Sequence, residues 1–430
     1  MSKKQVIALW IIAAVLIGTL AIVKSTQSDD FDSATARDRG ETLLDEFPAD
    51  KVAEMKISQG EDQVTLRQKD GSWTVVERDD YPANVGNVND LLRTVAEVKV
   101  TQGIEADPSF APRFGMDPEA DEKEDQGTDL FLSDASGNEL AHLTFGKELE
   151  SASNPMSPFG GGGATGRFVM NHADTSGVYV TSEIFPTLTV MVERWLDDSF
   201  LKVERIQSIA VSEPGKENET AWKVSREDEN GSFTLEGKKS NEELDSTALD
   251  PMKNLFSYAR FEDVIPAEEA AKQWIKDKRQ TAVIETFEGM TYHITFGPIA
   301  APEAASETPA ADNFAMTVTV TGEVPAERKK PEGESEEDAK KADEAFATRK
   351  KELEENLAKT RKLEGRVFKV TKYTLESLLK DRTGLIKSAP PTPPAAPAAT
   401  GATTPPVGNR PMQAVTPPIQ IPPAPPREEE

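Results

Sequence analysis

The sequence predicts an α+β protein with a single N-terminal transmembrane helix, two tandem mixed α/β repeats with mainly antiparallel sheets, a charged helical insertion in the second repeat, and a disordered Pro-rich C-terminal tail. Three observations lead to this prediction. An uncharged apolar run lies near the N-terminus, one series of strand and helix patterns occurs twice, and proline and alanine dominate the C-terminal end. With 430 residues, the chain is long enough for two or three separate cores.

The apolar run covers residues 5–23 and contains no charged side chain. As a helix it spans roughly 28 Å, close to the roughly 30 Å of a bilayer's hydrocarbon core. Two lysines precede the run and an Asp-rich segment follows it, so the positive-inside rule keeps the N-terminus in the cytoplasm. We therefore expect residues 1–24 to form a cytoplasmic stub and transmembrane anchor in the inner (cytoplasmic) membrane. The bulk of this single-pass protein then lies in the periplasm or another extracytoplasmic space.

A cleavable signal peptide is the alternative interpretation of this run. Signal peptides have shorter apolar stretches, and a small-x-small cleavage site follows closely. The nearest Ala-x-Ala sequence, Ala34 to Ala36, lies well beyond the end of the run at Val23. An uncleaved signal anchor is therefore the expectation.

The charge and cysteine content exclude several function classes. The net charge is −26, with 49 basic and 75 acidic residues. This charge argues against a protein that binds nucleic acid and against one that lies flat on anionic lipid. The absence of cysteine excludes disulfides, thiolate metal sites, thiol nucleophiles and a lipoprotein anchor. Stability must therefore come from ordinary burial.

After a polar spacer at residues 25–49, the chain repeats one order of elements. A hairpin with a Gly turn is followed by a helical pattern, a second hairpin ending in His-x-Thr-Phe-Gly, and a strand that leads into a short helix. This order predicts two tandem domains, residues 50–204 and 205–387. The corresponding segments are Val64–Val75 and Trp222–Leu235, Val85–Val98 and Ser246–Phe261, Thr128–Lys147 and Thr281–Pro298, and Gly177–Leu188 and Arg366–Leu379.

The second repeat contains a charged insertion at about residues 324–364. Glu, Lys, Ala and Arg dominate it, and its few large apolar residues are Phe346, Leu353, Leu357 and Leu363. The pattern predicts a solvated helix, hairpin or coiled coil that projects from the domain, with a docking helix as the alternative.

The tail, residues 388–430, is rich in proline, alanine and threonine. Such a composition cannot bury a core and predicts a disordered or polyproline-II segment. Its PxxP-type spacing leaves docking to a partner as the alternative.

Three histidines, His142, His172 and His293, are the first candidates for catalytic or metal-binding residues. His142 and His293 occupy the same place in the two repeats, in AHLTFG and YHITFG. Strand alternation turns Leu143 and Phe145 toward the core and His142 outward. The sequence suggests no partners that converge on these side chains, so we expect no catalytic, cofactor-binding or metal-binding residue and no cofactor.

Two further sequence patterns resemble functional motifs but lack the surroundings that those motifs require. The glycine-rich run at 161–166 matches GxGxxG, but a dinucleotide fingerprint needs a strand before it and a helix after it, and here a Pro/Ser loop precedes it and a strand pattern follows. The acidic clusters at 117–125 and 334–338 lack the DxDxDG spacing of a calcium loop and an aromatic cleft that could separate an acid from a base. We therefore expect a protein that is not an enzyme.

Several motifs resemble a bacterial family catalogued as domain of unknown function 4340. They are the Gly71-Ser72-Trp73 turn, the FGM sequence at Phe114–Met116, the paired strands that end in TFG, and VYVTSEIF leading to WLDD at Trp195–Asp198. The resemblance implies a membrane-anchored envelope protein beside gliding-motility-type ABC transporter components, with no established catalytic residues.

The leading functional hypothesis is a non-catalytic extracytoplasmic interaction module, held in the inner membrane through residues 5–23. The resemblance implies that it is accessory to a gliding-motility-type or export ABC transporter, with transporter subunits as partners and no nucleic acid. The alternative is an extracytoplasmic glycan- or peptide-binding protein, which a concave patch of exposed aromatic residues would favour. An envelope hydrolase is a weaker third hypothesis, because no nucleophile, base and orienting group occur together.

Overall fold

Strands dominate the part of the chain that the computed structural model describes, which comprises residues 35–150, 164–300, 312–328 and 334–387. They form two antiparallel sheets, one of nine strands and one of eight. The predicted α+β class is therefore wrong, because the protein is mostly β-sheet.

The first sheet has the strand order β4-β3-β2-β1-β6-β7-β8-β9-β5. Its strands are β1 (Val52–Gln59), β2 (Asp62–Lys69), β3 (Ser72–Val75), β4 (Tyr81–Pro82), β5 (Val100–Glu105), β6 (Thr128–Asp134), β7 (Glu139–Glu150), β8 (Ala164–Asn171) and β9 (Gly177–Thr181).

The second sheet has the order β12-β11-β10-β14-β15-β16-β17-β13. Its strands are β10 (Ile206–Glu213), β11 (Lys216–Ser225), β12 (Thr234–Leu235), β13 (Asp263–Ile265), β14 (Gln280–Thr286), β15 (Thr291–Pro298), β16 (Asn313–Thr321) and β17 (Val367–Thr371). If the edge strand β4 is left out, the strand order and the connections between strands are the same in the two sheets. The predicted domain boundaries, 50–204 and 205–387, stay a prediction.

Within the described ranges, helices are few and mostly short. They are α1 (Val85–Glu97), α2 (Ser246–Leu249), α3 (Ala267–Gln273), α4 (Glu336–Leu363) and α5 (Lys372–Leu375).

Helix α1 forms where a helix was predicted, whereas its counterpart in the second half does not. The side chain of Asn84 caps α1 by accepting from the backbone N–H of Asn87, and one apolar face of the helix is buried. The predicted helix Ser246–Phe261 is reduced to α2 and a 3₁₀ turn, Asp250–Asn254. Pro251 explains the difference, because it lacks the backbone N–H that a continuous α-helix would donate to the carbonyl of Thr247.

The charged insertion contains the longest of the described helices, α4, with 28 residues. Leu353, Leu357, Thr360 and Leu363 are its buried residues, and the helix packs against β16. The prediction of a solvated, projecting element is therefore wrong for its C-terminal half. A coiled coil is not supported either, since α4 packs against a sheet.

No helix within the described ranges is both long enough and apolar enough to cross a membrane. The predicted anchor at residues 1–24, with its apolar run 5–23, lies outside the described residues, and so does the predicted tail at 388–430. The single transmembrane helix of the predicted fold thus has no counterpart in the described part of the chain.

One hydrophobic cluster contains residues of both sheets. At their junction, the ring of Tyr81 in β4 meets Phe261 and Phe368 edge-on, with ring centroids 5.8 and 6.0 Å apart. The guanidinium of Arg78 binds both carboxylate oxygens of Asp263, at 2.7 and 2.9 Å. Aromatic packing and a paired charge therefore join the two sheets.

Candidate functional site

Four polar side chains gather on the outer face of the first sheet, and we call them the His142 cluster. Asp129 lies in β6, His142 and Thr144 lie in β7, and His172 directly follows β8. These three strands are neighbours, with Asp129 paired to Thr144. The backbone N–H of His172 donates to the carbonyl of His142 at 3.0 Å. The sheet register therefore unites residues that are distant in the sequence.

Strand alternation decides which way these side chains point. Leu130, Leu143 and Phe145 are fully buried on the core side of the sheet. Asp129 and His142 occupy the alternate positions, so they point away from the core. The sequence pattern AHLTFG predicts this arrangement for His142, whose side chain is 30% exposed.

The two imidazole rings are stacked face to face. Their centroids are 3.7 Å apart and their planes differ by 7°. The hydroxyl of Thr144 donates to Oδ1 of Asp129 at 2.5 Å, and Nε2 of His172 lies 2.7 Å from the same hydroxyl oxygen. Nε2 of His142 lies 3.8 Å from Oδ1 of Asp129. The cluster is thus a compact group of two imidazoles, a hydroxyl and a carboxylate.

Partial burial of its ring lowers the pKa of His172, and the neighbouring imidazole of His142 lowers it further. The charges of Asp129 and Glu139 oppose this shift. The residue as a whole is exposed, but one side of its ring is covered by His142. The shift favours a neutral imidazole, which is the form that binds metal ions.

The hydrogen bonds do not activate Thr144 as a nucleophile. Its single hydroxyl proton goes to Asp129, so Nε2 of His172 serves as a donor to the hydroxyl oxygen. Activation would require His172 to accept that proton instead. The groups that the cluster does present are ring nitrogens and a carboxylate oxygen.

The third histidine, His293, is separate from this cluster. It lies in β15, where it is exposed while Ile294 and Phe296 are fully buried. Among the described residues, the one group that could hold a metal ion consists of Asp129, His142 and His172. The correspondence of His142 and His293 in the two repeats therefore does not extend to their surroundings.

Sequence reasoning missed Asp129 and His172 as neighbours of His142. The available signal is the strand register. The hairpin Thr128–Lys147 sets Asp129 opposite Thr144. The next strand, β8, pairs with β7 and ends at Asn171, directly before His172. Finding the group requires knowing that β8 follows β7 in the sheet, which the sequence pattern by itself does not state.

The other candidate patterns have structural roles or lie partly outside the described residues. In the acidic cluster at 117–125, Asp125 pairs with Lys147 at 2.5 Å. In the cluster at 334–338, Glu334 pairs with Arg328 at 2.7 Å. Gly161 lies outside the described residues, and the end of the glycine run begins β8, so a strand follows it as the sequence indicates.

A second feature is a groove in the second half of the chain, which we call the tyrosine groove. It has a volume of about 300 Å³ and is lined by Tyr258 and Tyr373 together with Pro251, Leu255 and Phe256. Tyr258 is 95% exposed and Tyr373 is 84% exposed, the highest values among the large hydrophobic residues described. Phe256, by contrast, is buried. The groove therefore combines two exposed aromatic rings with buried apolar residues.

Residues 73–277 match the family described as Domain of unknown function (DUF4340). The match is one continuous region that begins at Trp73 in β3 and ends just before β14. It crosses the predicted boundary between residues 204 and 205, so it does not separate two repeats, and the repeat stays a prediction. No curated protein and no solved structure matches the chain.

Proposed function

The chain belongs, over residues 73–277, to the DUF4340 family, and from this premise we propose that it is a non-catalytic interaction module that binds a membrane-protein partner outside the cytoplasm. The proposed partner is a subunit of a gliding-motility-type or export ABC transporter, as the family resemblance implies. The uncharged run at residues 5–23 supports this location, because its length suits a membrane anchor. Anchor and partner then share one membrane.

The observation that carries this proposal is the pair of exposed tyrosines in one groove. Tyrosine and tryptophan are enriched among the residues that dominate binding energy at protein interfaces. A tyrosine ring offers a large apolar surface and a polar hydroxyl at small entropic cost. Tyr258 and Tyr373 expose nearly all of their surface in one groove that buried apolar residues also line. This arrangement suits an apolar segment of a partner protein.

The backbone beside the groove supports the same interpretation. Phe256 has a φ of 64°, a left-handed conformation that is uncommon for a bulky residue. Such strain persists only where the surroundings fix it, and it is frequent at binding sites. Here the turn accompanies a buried Phe256 and an exposed Tyr258 within three residues of chain.

Tethering matters for this function. A groove of this size supports only a modest interface, whereas a membrane anchor raises the effective concentration of a partner in the same membrane. We expect the anchored protein to bind its partner well and a released form to bind poorly.

The test is co-purification of the full chain with the ABC transporter permease or ATPase from membranes in mild detergent. Tyr258→Ala with Tyr373→Ala should reduce recovery of these subunits at least tenfold, as expected for two interface anchor residues. The matched control is Val85→Ala with Met191→Ala, which removes two exposed apolar side chains outside the groove. Undiminished recovery with the tyrosine variant would overturn the proposal.

The same groove favours the second candidate, an extracytoplasmic glycan- or peptide-binding protein. Exposed aromatic rings on a concave surface stack on sugar rings and contact extended peptides. Titration of the purified chain with soluble oligosaccharides and short peptides separates the two candidates. Binding that depends on both tyrosines, without transporter co-purification, would establish the second candidate and exclude the first.

A further inference from the structure

The His142 cluster contains three metal-ligating side chains from three adjacent strands. One ring nitrogen of His142, one of His172 and one carboxylate oxygen of Asp129 all lie within 4.8 Å of one another. Two imidazoles and a carboxylate are a donor set that zinc uses in three-ligand sites, with water in the remaining position. The grouping depends on the sheet register and is independent of the proposed function.

The charge of the cluster favours a cation. Asp129 forms no ion pair with a lysine or arginine in the described part of the chain, and its nearest basic group is His142. Glu139 lies close enough for its charge to affect His172. The carboxylate is therefore not neutralised by a fixed positive charge, and a bound cation would supply one.

The distances require only local adjustment. Ligand atoms around a tetrahedral zinc ion are roughly 3.3 Å apart, given bond lengths of about 2.0–2.1 Å. Nε2 of His142 and Oδ1 of Asp129 are 3.8 Å apart. The lone pairs of parallel rings do not converge, so the rings must tilt out of their stack to bind one ion. His172 is exposed and follows the end of β8, which gives its side chain room to turn.

The surrounding hydrogen bonds hold the remaining parts of the group in place. Thr144 is buried, with 6% of its surface exposed. Its hydroxyl donates a hydrogen bond to Asp129 and thereby orients the carboxylate of Asp129. The backbone hydrogen bond between His172 and His142 fixes the distance between the Cα atoms from which the two side chains extend. Hydrogen bonds from neighbouring residues that orient ligands in this way are a general feature of metal sites.

We propose that Asp129, His142 and His172 bind one divalent transition-metal ion of the zinc class on the outer face of the first sheet. Water completes the coordination, and Thr144 positions the carboxylate. Imidazole ligands select such ions over magnesium and calcium, which prefer oxygen ligands. Binding replaces the stacked rings by two convergent nitrogen ligands.

The test is calorimetric titration of the full, metal-free chain in detergent with ZnCl₂. We expect one equivalent of zinc to bind tightly, and His142→Gln with His172→Gln to weaken this binding at least 100-fold. The matched control is His293→Gln, which removes an exposed strand histidine from the other sheet and should leave the tight site intact. Excess MgCl₂ should not compete.

Cobalt provides a second measurement that does not depend on affinity. Co²⁺ bound through two imidazoles should give visible absorption bands, and Asp129→Asn should change them while His293→Gln does not. Circular dichroism of the metal-free variants checks that each is folded. If the folded double variant binds zinc as tightly as the unaltered chain, the tight site lies elsewhere in the chain and the proposal is wrong.

Discussion

At the scale of single residues, Tyr292 shows how burial of a polar group makes stability depend on pH. It lies in β15 and only 2% of its surface is exposed. Burial raises the pKa of its hydroxyl to about 12, and the charges of Glu288 and Glu204 act in the same direction. An unfolded tyrosine has a pKa of about 10. The contribution of Tyr292 to stability is therefore fully present below pH 10. It declines as the pH rises toward 12, because in this range the unfolded state loses the proton while the folded state keeps it.

We expect Tyr292→Phe to remove this part of the alkaline sensitivity. At pH 11 the linkage amounts to about 1.4 kcal/mol, which the unaltered chain should lose relative to pH 8 and the variant should keep. Urea unfolding of both proteins at the two pH values measures the difference. Lysine titration affects both proteins alike and cancels in the comparison. An equal decline in both would show that Tyr292 ionises without cost in the folded state.

The His142 cluster was only partly predictable from the sequence. The outward direction of His142 follows from strand alternation, because Leu143 and Phe145 take the core side. The approach of His172 depends on which strand lies beside β7, and strand neighbours are a property of the whole sheet. A one-dimensional pattern contains the period of each strand but not the order of strands.

At the scale of elements, α4 combines two different kinds of helix. The side chain of Ser335 caps the start of the helix by accepting a hydrogen bond from the backbone N–H of Asp338. Acidic residues in the first turn interact favourably with the positive end of the helix dipole. All its buried residues lie from Leu353 onward. The N-terminal half is therefore stabilised by capping and by ion pairs, including those of Arg349 with Glu204 and Glu288. Apolar packing stabilises the C-terminal half.

Leu357→Ala should destabilise the protein by about 2–4 kcal/mol, because it removes a buried side chain and leaves a cavity. Ala345→Gly, at an exposed position in the N-terminal half, should cost at most about 1 kcal/mol. Urea unfolding of the two variants measures both values. Equal losses would mean that burial of Leu357 contributes no more to stability than helix propensity does at position 345.

The hairpins were more predictable than the helices. Thr128–Lys147 and Thr281–Pro298 alternate clearly around a Gly turn, and they form β6–β7 and β14–β15. Ser246–Phe261 has apolar residues at helical spacing, but Pro251 prevents a continuous helix. The predicted α+β class is wrong because Pro251 interrupts the helical pattern of the second repeat, and because the extent of each sheet depends on pairing between distant strands.

At the scale of the whole molecule, the two sheets are joined by the contacts at Tyr81 and by the ion pair between Arg78 and Asp263. Each of these charged side chains is 17% exposed, and the pair is bidentate. Removing one partner of such a pair leaves a charge that is neither paired nor fully hydrated. Since residues of both sheets share one hydrophobic cluster, a defect at the junction affects both.

We expect Arg78→Ala to lower stability by about 2–4 kcal/mol and to shift a single cooperative unfolding transition, because a weakened junction exposes the shared core of both sheets. Calorimetry measures the transition, and amide hydrogen exchange should show faster exchange in β17 as well as in β3. Lys69→Ala is the control, since Lys69 and Asp80 form an exposed pair, with side chains 57% and 34% exposed, within the first half of the chain. Its effect should be below about 1 kcal/mol. Two separate transitions, with only one shifted by Arg78→Ala, would show that each sheet unfolds by itself and that the junction does not couple their stabilities.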